Sequence, residues 1–400
     1  MAKKRVLLLI ESSRGHGRGM LEGVSQYLVE TNDWHVFFED HAVLDRLPKT
    51  LRSWEGDGMI VRSHNPKACA FLRGLGKPYV ELLGDGKQYL PDVRVDEQLV
   101  GQLAADHLHE RGLRHFAFFS ADREWWSVAR EKSFRAALRE SHAATCTSLL
   151  LPAKRFLSYP LSTIPQETAD AIGNWLESLP KPVGVFASID LHAMLLLGIC
   201  HELGIIVPNQ VALLGAGNDT LVCSLLSPKL SSIALNSRLV GYRGAMLLDT
   251  LMRDPSHRAE PLIVPPTHVV VRQSTDMVAI DDPSVSHAIA YIRENHSLPI
   301  GVNDIAEQVG VSRRTLERRF RRWMPHSLQA ELVRVRLERA KELLRDTDLP
   351  VAQISERVGF QSSEYFSNTF RRVQGLAPNC YRRQCQFGPP SSTQSPLPVF

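Results

Sequence analysis

DIAEQVGVSRRTLERRF, from Asp304 to Phe320, and QISERVGFQSSEYFSNTF, from Gln353 to Phe370, are two versions of one pattern. Ile305 and Ile354 stand 49 positions apart and open matched runs, I-A-E-Q-V-G and I-S-E-R-V-G, so this part of the chain carries an internal repeat. Each copy reads as a short helix, a turn at glycine and a second helix. In the first, Ile305 and Val309 share a face, Gly310 permits the turn, Ser312 is a good N-cap, and Leu316, Phe320 and Trp323 recur at helical spacing. In the second, Ile354 and Val358 precede Gly359, Ser362 caps, and Phe366 and Phe370 form the apolar pair, with one extra residue in the turn. This is the helix-turn-helix pattern, whose second helix enters the DNA major groove.

The polar faces agree. Arg313, Arg314, Arg318, Arg319, Arg321 and Arg322 crowd one helix. Such mutual repulsion is tolerable on a well-solvated surface or against a polyanion, and the repetition of the motif favours the polyanion. Residues 281–385 hold 17 Lys+Arg against 13 Asp+Glu, which accounts for the whole chain's net charge of +4. The remainder is neutral, as expected if only the repeat-bearing segment touches nucleic acid.

Upstream, short apolar runs alternate with amphipathic stretches. Val6–Ile10, Val36–Phe38, Met59–Val61, Tyr79–Leu83, Phe116–Phe119, Leu149–Leu151, Val183–Ala187 and Ala212–Leu214 read as central strands. The segments 19–29, 97–111, 130–140, 167–179 and 191–203 read as helices between them. This alternation predicts βαβ units with parallel sheets, and so many strands predict two lobes. A domain of residues 1–275 is therefore expected, then a polar linker at 276–286, a helical domain at 287–385, and a Pro/Ser-rich disordered tail at 386–400.

At 400 residues and 44% apolar content the chain is long enough to bury several cores. Its six cysteines (Cys69, Cys146, Cys200, Cys223, Cys380 and Cys385) include no C-x-x-C pair, which predicts reduced thiols in a cytoplasm and no metal site. The opening MAKKRVLLLIESS mimics a signal peptide, but its apolar run ends at Glu11, too soon for export or for crossing a bilayer. No G-x-S-x-G elbow or H-E-x-x-H helix marks an enzyme. The glycines at 15, 17 and 19 suggest a dinucleotide loop, but Met20 occupies the third glycine's place, so no nucleotide cofactor is expected. A flexible loop whose arginines line a cleft is the reading preferred for Ser12–Arg18.

The C-terminal hundred residues, through GF…YFSNTFRRVQGLAPNCYRR, resemble the DNA-binding domain of the AraC family of transcription regulators; Met324-Pro325 replaces a glycine usual there. Four upstream passages resemble the ligand-binding domain of the LacI family, related to periplasmic sugar-binding proteins: Val93–Ser120, Lys181–Asp219, Leu225–Met252 and Leu262–Thr275. A LacI-type sensor ahead of an AraC-type reader is the arrangement of the xylose-operon regulators, whose pattern also fits ESSRGHGRGMLEGVSQYL and WSVAREKSF.

The resemblance implies a bilobed α/β sensor of two parallel-sheet lobes followed by an all-α domain with two helix-turn-helix motifs. It implies a sugar, xylose or a related pentose, held between the lobes by residues that follow strands. Ser13, Arg14 and His16 follow the first strand; Asp122, Trp126 and Arg130 follow the Phe116–Phe119 strand; Asp190 follows Val183–Ala187; Asn218 and Asp219 follow Ala212–Leu214. Gly217 stands where the family often has a ligand-binding aspartate. Towards DNA it implies Arg314, Thr315, Glu317, Arg318 and Arg321 in the first copy, and Ser363, Glu364, Ser367, Asn368 and Arg371 in the second. Arg314 and Arg318 suit bidentate contacts to guanine, and Asn368 suits adenine.

The expected partners are double-stranded DNA, a small-molecule sugar, a second copy of the chain in a homodimer, and RNA polymerase for an activator; no membrane is expected. A repressor or architectural DNA binder without a ligand, and an enzyme with an appended DNA-binding domain, are the competing readings.

Overall fold

The computed structural model describes residues 3–40, 54–63, 66–84, 91–120, 124–142, 144–151, 164–254, 256–257, 260–276, 282–324, 326–347 and 349–387. The chain divides into two compact units, Met1–Ala279 and Ile280–Phe400.

The first unit holds two parallel-sheet lobes. Strands β1 (Lys4–Leu9), β2 (Trp34–Glu39), β3 (Gly58–Val61) and β4 (Tyr79–Glu81) form a sheet in the order β2-β1-β3-β4. All its pairings are parallel. Strand β1 explains why its run is unbroken: Val6, Leu8 and Ile10 enter one core while Leu7 and Leu9 enter another, so both faces are covered. After β5 (Val93–Val95), the second lobe assembles from β6 (His115–Ser120), β7 (Cys146–Leu150), β8 (Val183–Ala187), β9 (Val211–Ala216) and β10 (Ser231–Ile233). Strand β11 (Leu262–Val264) returns to pair with β5, and β12 (Val269–Val270) closes the edge of the order β12-β10-β9-β8-β6-β7, antiparallel to β10. The eight expected strands are present; β5, β10, β11 and β12, of two or three residues each, are additional.

Helices α1 (Gly15–Thr31), α2 (Pro66–Gly74), α3 (Glu97–Glu110), α4 (Trp125–His142), α5 (Gln166–Ser178), α6 (Asp190–Glu202), α7 (Thr220–Leu225) and α8 (Ser237–Arg253) cover the sheets. The stretch expected as a flexible glycine loop is corrected here, because α1 already begins at Gly15. Its glycines serve close packing instead. A Cβ on Gly17 would lie 1.8 Å from the Glu11 carbonyl oxygen, and one on Gly23 would lie 1.9 Å from that of Arg238 in α8. Gly241 of α8 answers with a Cβ position 1.9 Å from the Met20 carbonyl oxygen, so the two helices meet backbone to backbone.

The second unit is helical: α9 (Pro283–Asn295), α10 (Val302–Val309), α11 (Arg313–Trp323), α12 (Leu328–Asp346), α13 (Val351–Arg357), α14 (Ser363–Gln374) and α15 (Pro378–Phe387). Helix α9 starts four residues before the expected position because the Asp282 carboxylate accepts from the amides of Ser284 and Val285 and Pro283 fills the first turn. Two separate cores flank α12. Leu328 and Leu332 join Ile305, Leu316 and Phe320 in one; Leu337, Ala340 and Leu344 join Ile354, Phe366 and Phe370 in the other. Residues 277–281 of the expected linker and the tail beyond 387 lie outside the described residues.

Candidate functional site

The carboxyl ends of β1, β3 and β4 face those of β6, β8 and β9, and charged side chains follow each. Asp219, after β9, accepts from Arg18 Nη2 at 2.9 and 2.8 Å and from the Gly15 amide at 2.7 Å. One carboxylate of the second lobe thus receives both a guanidinium and the first turn of α1 from the first lobe, where the helix dipole also favours negative charge. Trp125 adds a second link between lobes, its indole N–H donating to the Leu83 carbonyl at 3.2 Å.

Arg130 is buried and spans two partners, the Glu97 carboxylate and the Ser188 carbonyl, while its guanidinium lies 5.1 Å from the Trp126 ring centroid. It is therefore an interior ion pair rather than a surface one. Burial pushes the Glu97 carboxyl up, and Arg130 opposes that shift. Asp190 is likewise engaged on both oxygens, by the Ser232 hydroxyl and by the Asp219 amide at 2.8 Å. Burial raises its pKa, against the hydrogen bonds from Ser232 and Asp219. Asn218, in the left-handed region at φ 49°, accepts from Arg272 Nη2 at 2.8 Å.

Gly217 has a physical reason. At φ +130°, a Cβ there would lie 3.0 Å from Asp190 Oδ2, so the Asp190 carboxylate occupies the space an aspartate would need.

In the first lobe, Ser13 Oγ donates to Glu11 Oε1 at 2.5 Å and Arg14 Nε approaches the same oxygen at 3.2 Å. His16 pairs through Nδ1 with the Ser237 hydroxyl, and its pKa is held well below the usual histidine value by burial and by the charges of Arg62 and Arg130. A chain of hydroxyls, Ser127 to Ser120 at 2.7 Å, Ser120 with Ser188 at 2.9 Å and Ser188 with His192 Nδ1 at 2.7 Å, completes the wall of the second lobe. Asp122 lies outside the described residues.

Sequence reasoning did not select Glu11, Arg62, Glu81, Glu97 or Arg272, and it included Arg18 only as part of the loop Ser12–Arg18. For Glu11 and Arg62 the signal was available: each stands directly after an apolar strand run, at the end where open α/β sheets bind ligands.

In the second unit, Gly310 and Gly359 adopt φ of 75° and 87°, and Ser312 and Ser362 cap α11 and α14 by accepting from the amides of Thr315 and Tyr365. Arg314, Arg318 and Arg321 are exposed, opposite buried Leu316 and Phe320, as is Arg322, which sequence reasoning left out. Of the remaining arginines, Arg313 stays exposed and pairs with Glu317 along the helix at 3.0 Å, while half-buried Arg319 donates to the Ser284 hydroxyl at 2.7 Å. Thr315 is half-buried in the N-cap, its hydroxyl accepting from Ser312 at 2.9 Å. In α14, Glu364, Asn368 and Arg371 are exposed and Ser363 and Ser367 half-buried. Arg336 of α12, buried, donates to the carbonyls of His296 and Leu298 at 2.8 Å and lies 5.9 Å from the Phe360 ring centroid. Among the described residues no group of His, Cys, Asp and Glu could hold a metal, and no helix is long and apolar enough to cross a membrane.

Three family models match in succession: the XylR N-terminal domain at residues 5–94, a periplasmic binding protein-like domain at 105–275 and a helix-turn-helix domain at 305–384. The xylose operon regulatory protein of Escherichia coli (strain K12) is 29% identical over 95% of this chain and 97% of its own length. Its counterpart in Haemophilus influenzae is 28% identical over 95% and 98%. The solved structure of the xylose-binding transcription activator xylR superposes with a TM-score of 0.77, at 28% identity, covering 95% of this chain and 98% of that one. Over nearly its whole length the chain is similar to the xylose operon regulatory proteins, and it is laid out as a transcription regulator, with a periplasmic-binding-protein-like sensor followed by an AraC-type pair of helix-turn-helix motifs.

Proposed function

We propose that this protein is a cytoplasmic, homodimeric activator of sugar-utilisation genes, switched by a sugar of the pentose class, with xylose the first candidate. One observation carries the reading: a single chain joins a two-lobed cleft, bridged by Arg18 and Asp219, to two recognition helices on which Arg314, Arg318, Arg321 and Arg371 are exposed with no ion-pair partner among the described residues. The names of its full-length relatives, xylose operon regulatory proteins, point the same way. Ser13, Arg14, His16, Asp122, Trp126, Arg130, Asp190, Asn218 and Asp219 surround or support the sugar. Arg314, Arg318 and Arg321 provide the strong contacts to DNA, with Glu364, Asn368 and Arg371 adjusting register. The chain catalyses no reaction, and RNA polymerase is its partner on the promoter.

Sugar acts by binding one arrangement of the lobes more tightly than the other; equal affinity for both would shift nothing. Melting of the full chain against a sugar panel tests the sensor, because a ligand at 100 times its Kd adds about 2.7 kcal/mol of stability. Gel shifts with and without the stabilising sugar test the output. A melting temperature that no sugar raises would leave a DNA binder without an effector, and DNA affinity indifferent to salt would remove the electrostatic basis of the recognition helices.

A further inference from the structure

Strand β10 serves the cleft with one face and the exit from the sensor with the other. Its neighbours Ser231 and Ser232 point to opposite sides, as successive strand residues must, and both are fully buried. On the cleft side the Ser232 hydroxyl accepts from the Asn218 amide at 2.9 Å and donates to Asp190 Oδ1. On the far side the Ser231 hydroxyl accepts from the Arg272 amide at 2.8 Å and from the Thr275 hydroxyl at 2.7 Å, and donates to the Arg272 carbonyl at 3.0 Å.

Arg272 joins the two sides. Its Nη2 donates to Asn218 Oδ1 and its Nη1 to the Leu230 carbonyl, at 2.8 Å each. A guanidinium has only donors, so the amide atom that meets it is the oxygen, and the Asn218 NH2 group is turned away from it. That NH2 has no partner among the described residues and stands beside Asp219, which receives Arg18 and Gly15 of the first lobe. Thr275 is gripped from a second side, its carbonyl accepting from Arg111 Nε at 2.8 Å and its hydroxyl lying 2.9 Å from His107 Nε2. The single hydroxyl proton goes to Ser231, so His107 Nε2 donates.

Six residues, 276–281, separate Thr275 from Asp282, the N-cap of α9. The Asp282 carboxylate lies 3.7 Å from Arg319 Nη1, and the same nitrogen donates to Ser284. Arg319 belongs to the recognition helix α11 itself. The sensor's last fastened residue and the reader's first are thus tied, respectively, to the cleft and to a helix that faces DNA. A buried network whose members are satisfied holds them rigidly to one another, so a change at one is felt at the rest.

We propose that Arg272 and Thr275 are the output relay of the sensor: a sugar hydroxyl taken by Asn218 is felt at Thr275 through Arg272 and Ser231, and the hold on Thr275 governs how the chain enters Asp282 and α11. Both are positioning residues that touch neither sugar nor DNA. This rests on the reading of the chain as a sugar-switched DNA binder and deepens it.

The test is a linkage cycle on the full-length chain. Affinity for D-xylose is measured with and without DNA, and affinity for a duplex selected by this chain from a randomised pool is measured with and without D-xylose. The two effects are reciprocal, and the sugar is expected to change duplex affinity by about 5- to 150-fold. Thr275→Val should bind each ligand alone as the unsubstituted chain does while the coupling falls to about twofold or less, and Thr275→Ser, which returns the hydroxyl, should restore it. Arg272→Met should lose the coupling too, with sugar-free affinity for the duplex unchanged. A folded Thr275→Val or Arg272→Met that keeps the full coupling overturns the relay and leaves sugar sensing intact. Should neither fold, hydrogen exchange of the unsubstituted chain decides: D-xylose is expected to raise protection at 229–234 and 272–276, and unchanged protection there overturns the relay. If D-xylose does not bind, the sugar that raises the melting temperature takes its place. If no sugar binds, or the one that binds leaves duplex affinity unchanged, the sensing reading falls and the relay with it.

Discussion

Replacing Arg336 by Met should loosen the second helix-turn-helix motif from the first without unfolding either. The guanidinium donates to the carbonyls of His296 and Leu298 at 2.8 Å, with Ile300 further off at 3.3 Å, and it lies over Phe360. Hydrogen bonds to a charged group contribute about 1.5 to 3 kcal/mol each, and a desolvated cation–π contact about 2. Methionine keeps much of the apolar stem, so a loss of about 2 to 4 kcal/mol is reasonable once the carbonyls partly find water. Since every 1.4 kcal/mol is about tenfold, hydrogen-exchange protection should fall by about 30- to 700-fold in the peptides covering 296–300 and 351–375.

Protection in 302–323 should hold, because its core draws on Leu328 and Leu332, nearer the start of α12. Arg336→Lys should lose nearly as much, a single ammonium being unable to span two carbonyls. Equal loss in both motifs, or loss in neither, would refute the idea that Arg336 ties α9 to the turn at Phe360.

Gly23→Ala would place a methyl 1.9 Å from the Arg238 carbonyl oxygen and should lower the sensor's stability by about 1 to 3 kcal/mol, seen as an earlier urea midpoint at unchanged slope. Arg318→Ala should relax base preference at one operator position at about 1 to 3 kcal/mol, whereas Arg319→Ala should reduce stability and leave the preference alone, since Arg319 donates to Ser284; competition binding on a randomised operator separates them. Asp219→Asn removes the charge that joins α1 to the second lobe and should open the cleft, measured as a larger radius of gyration in solution scattering. Burial lowers His107 to about 3, so between pH 6.5 and 3 the unfolded chain binds the proton the folded one refuses. Stability is then lost as pH falls, by up to about 1.4 kcal/mol per pH unit, and His107→Gln should flatten that slope. Glu81 acts in the opposite sense: its folded value of about 8 lies above the unfolded one, so stability is lost as pH rises from about 4.5 to 8, and Glu81→Gln should remove that decline.

Most of the strands read in the sequence are buried on both faces, where continuous apolar runs such as Val6–Ile10 leave little ambiguity, whereas β2 and β7 are only part-buried. Strands β5, β10, β11 and β12 are too short for any periodicity to register. Helix α8 was hidden differently, because Gly241 and Gly244 dilute its pattern while serving contacts with Met20 and Leu82 that exist only in the fold. The same cause misled the reading of Gly15–Arg18 as part of a loop.

The recognition helices were legible because spacing alone separates buried Leu316 and Phe320 from exposed Arg314 and Arg318. The cleft was less so. Its members were sought as polar residues in loops, while Arg62 and Glu81 stand at the ends of apolar runs and Arg130 is committed to Glu97 and Ser188, pairings no spacing reveals.

Helix α12, with one core at each end, is also a ruler. A helix advances about 1.5 Å and turns about 100° per residue, so one residue inserted between Leu332 and Leu337 would swing the second reading head a quarter-turn off the groove. Four would nearly restore its orientation but carry it about 6 Å onward, less than two base-pair steps at about 3.4 Å each. The spacing of the two half-motifs in the operator is therefore set by the number of residues in this helix, and variants of that length should select operators of correspondingly altered spacing.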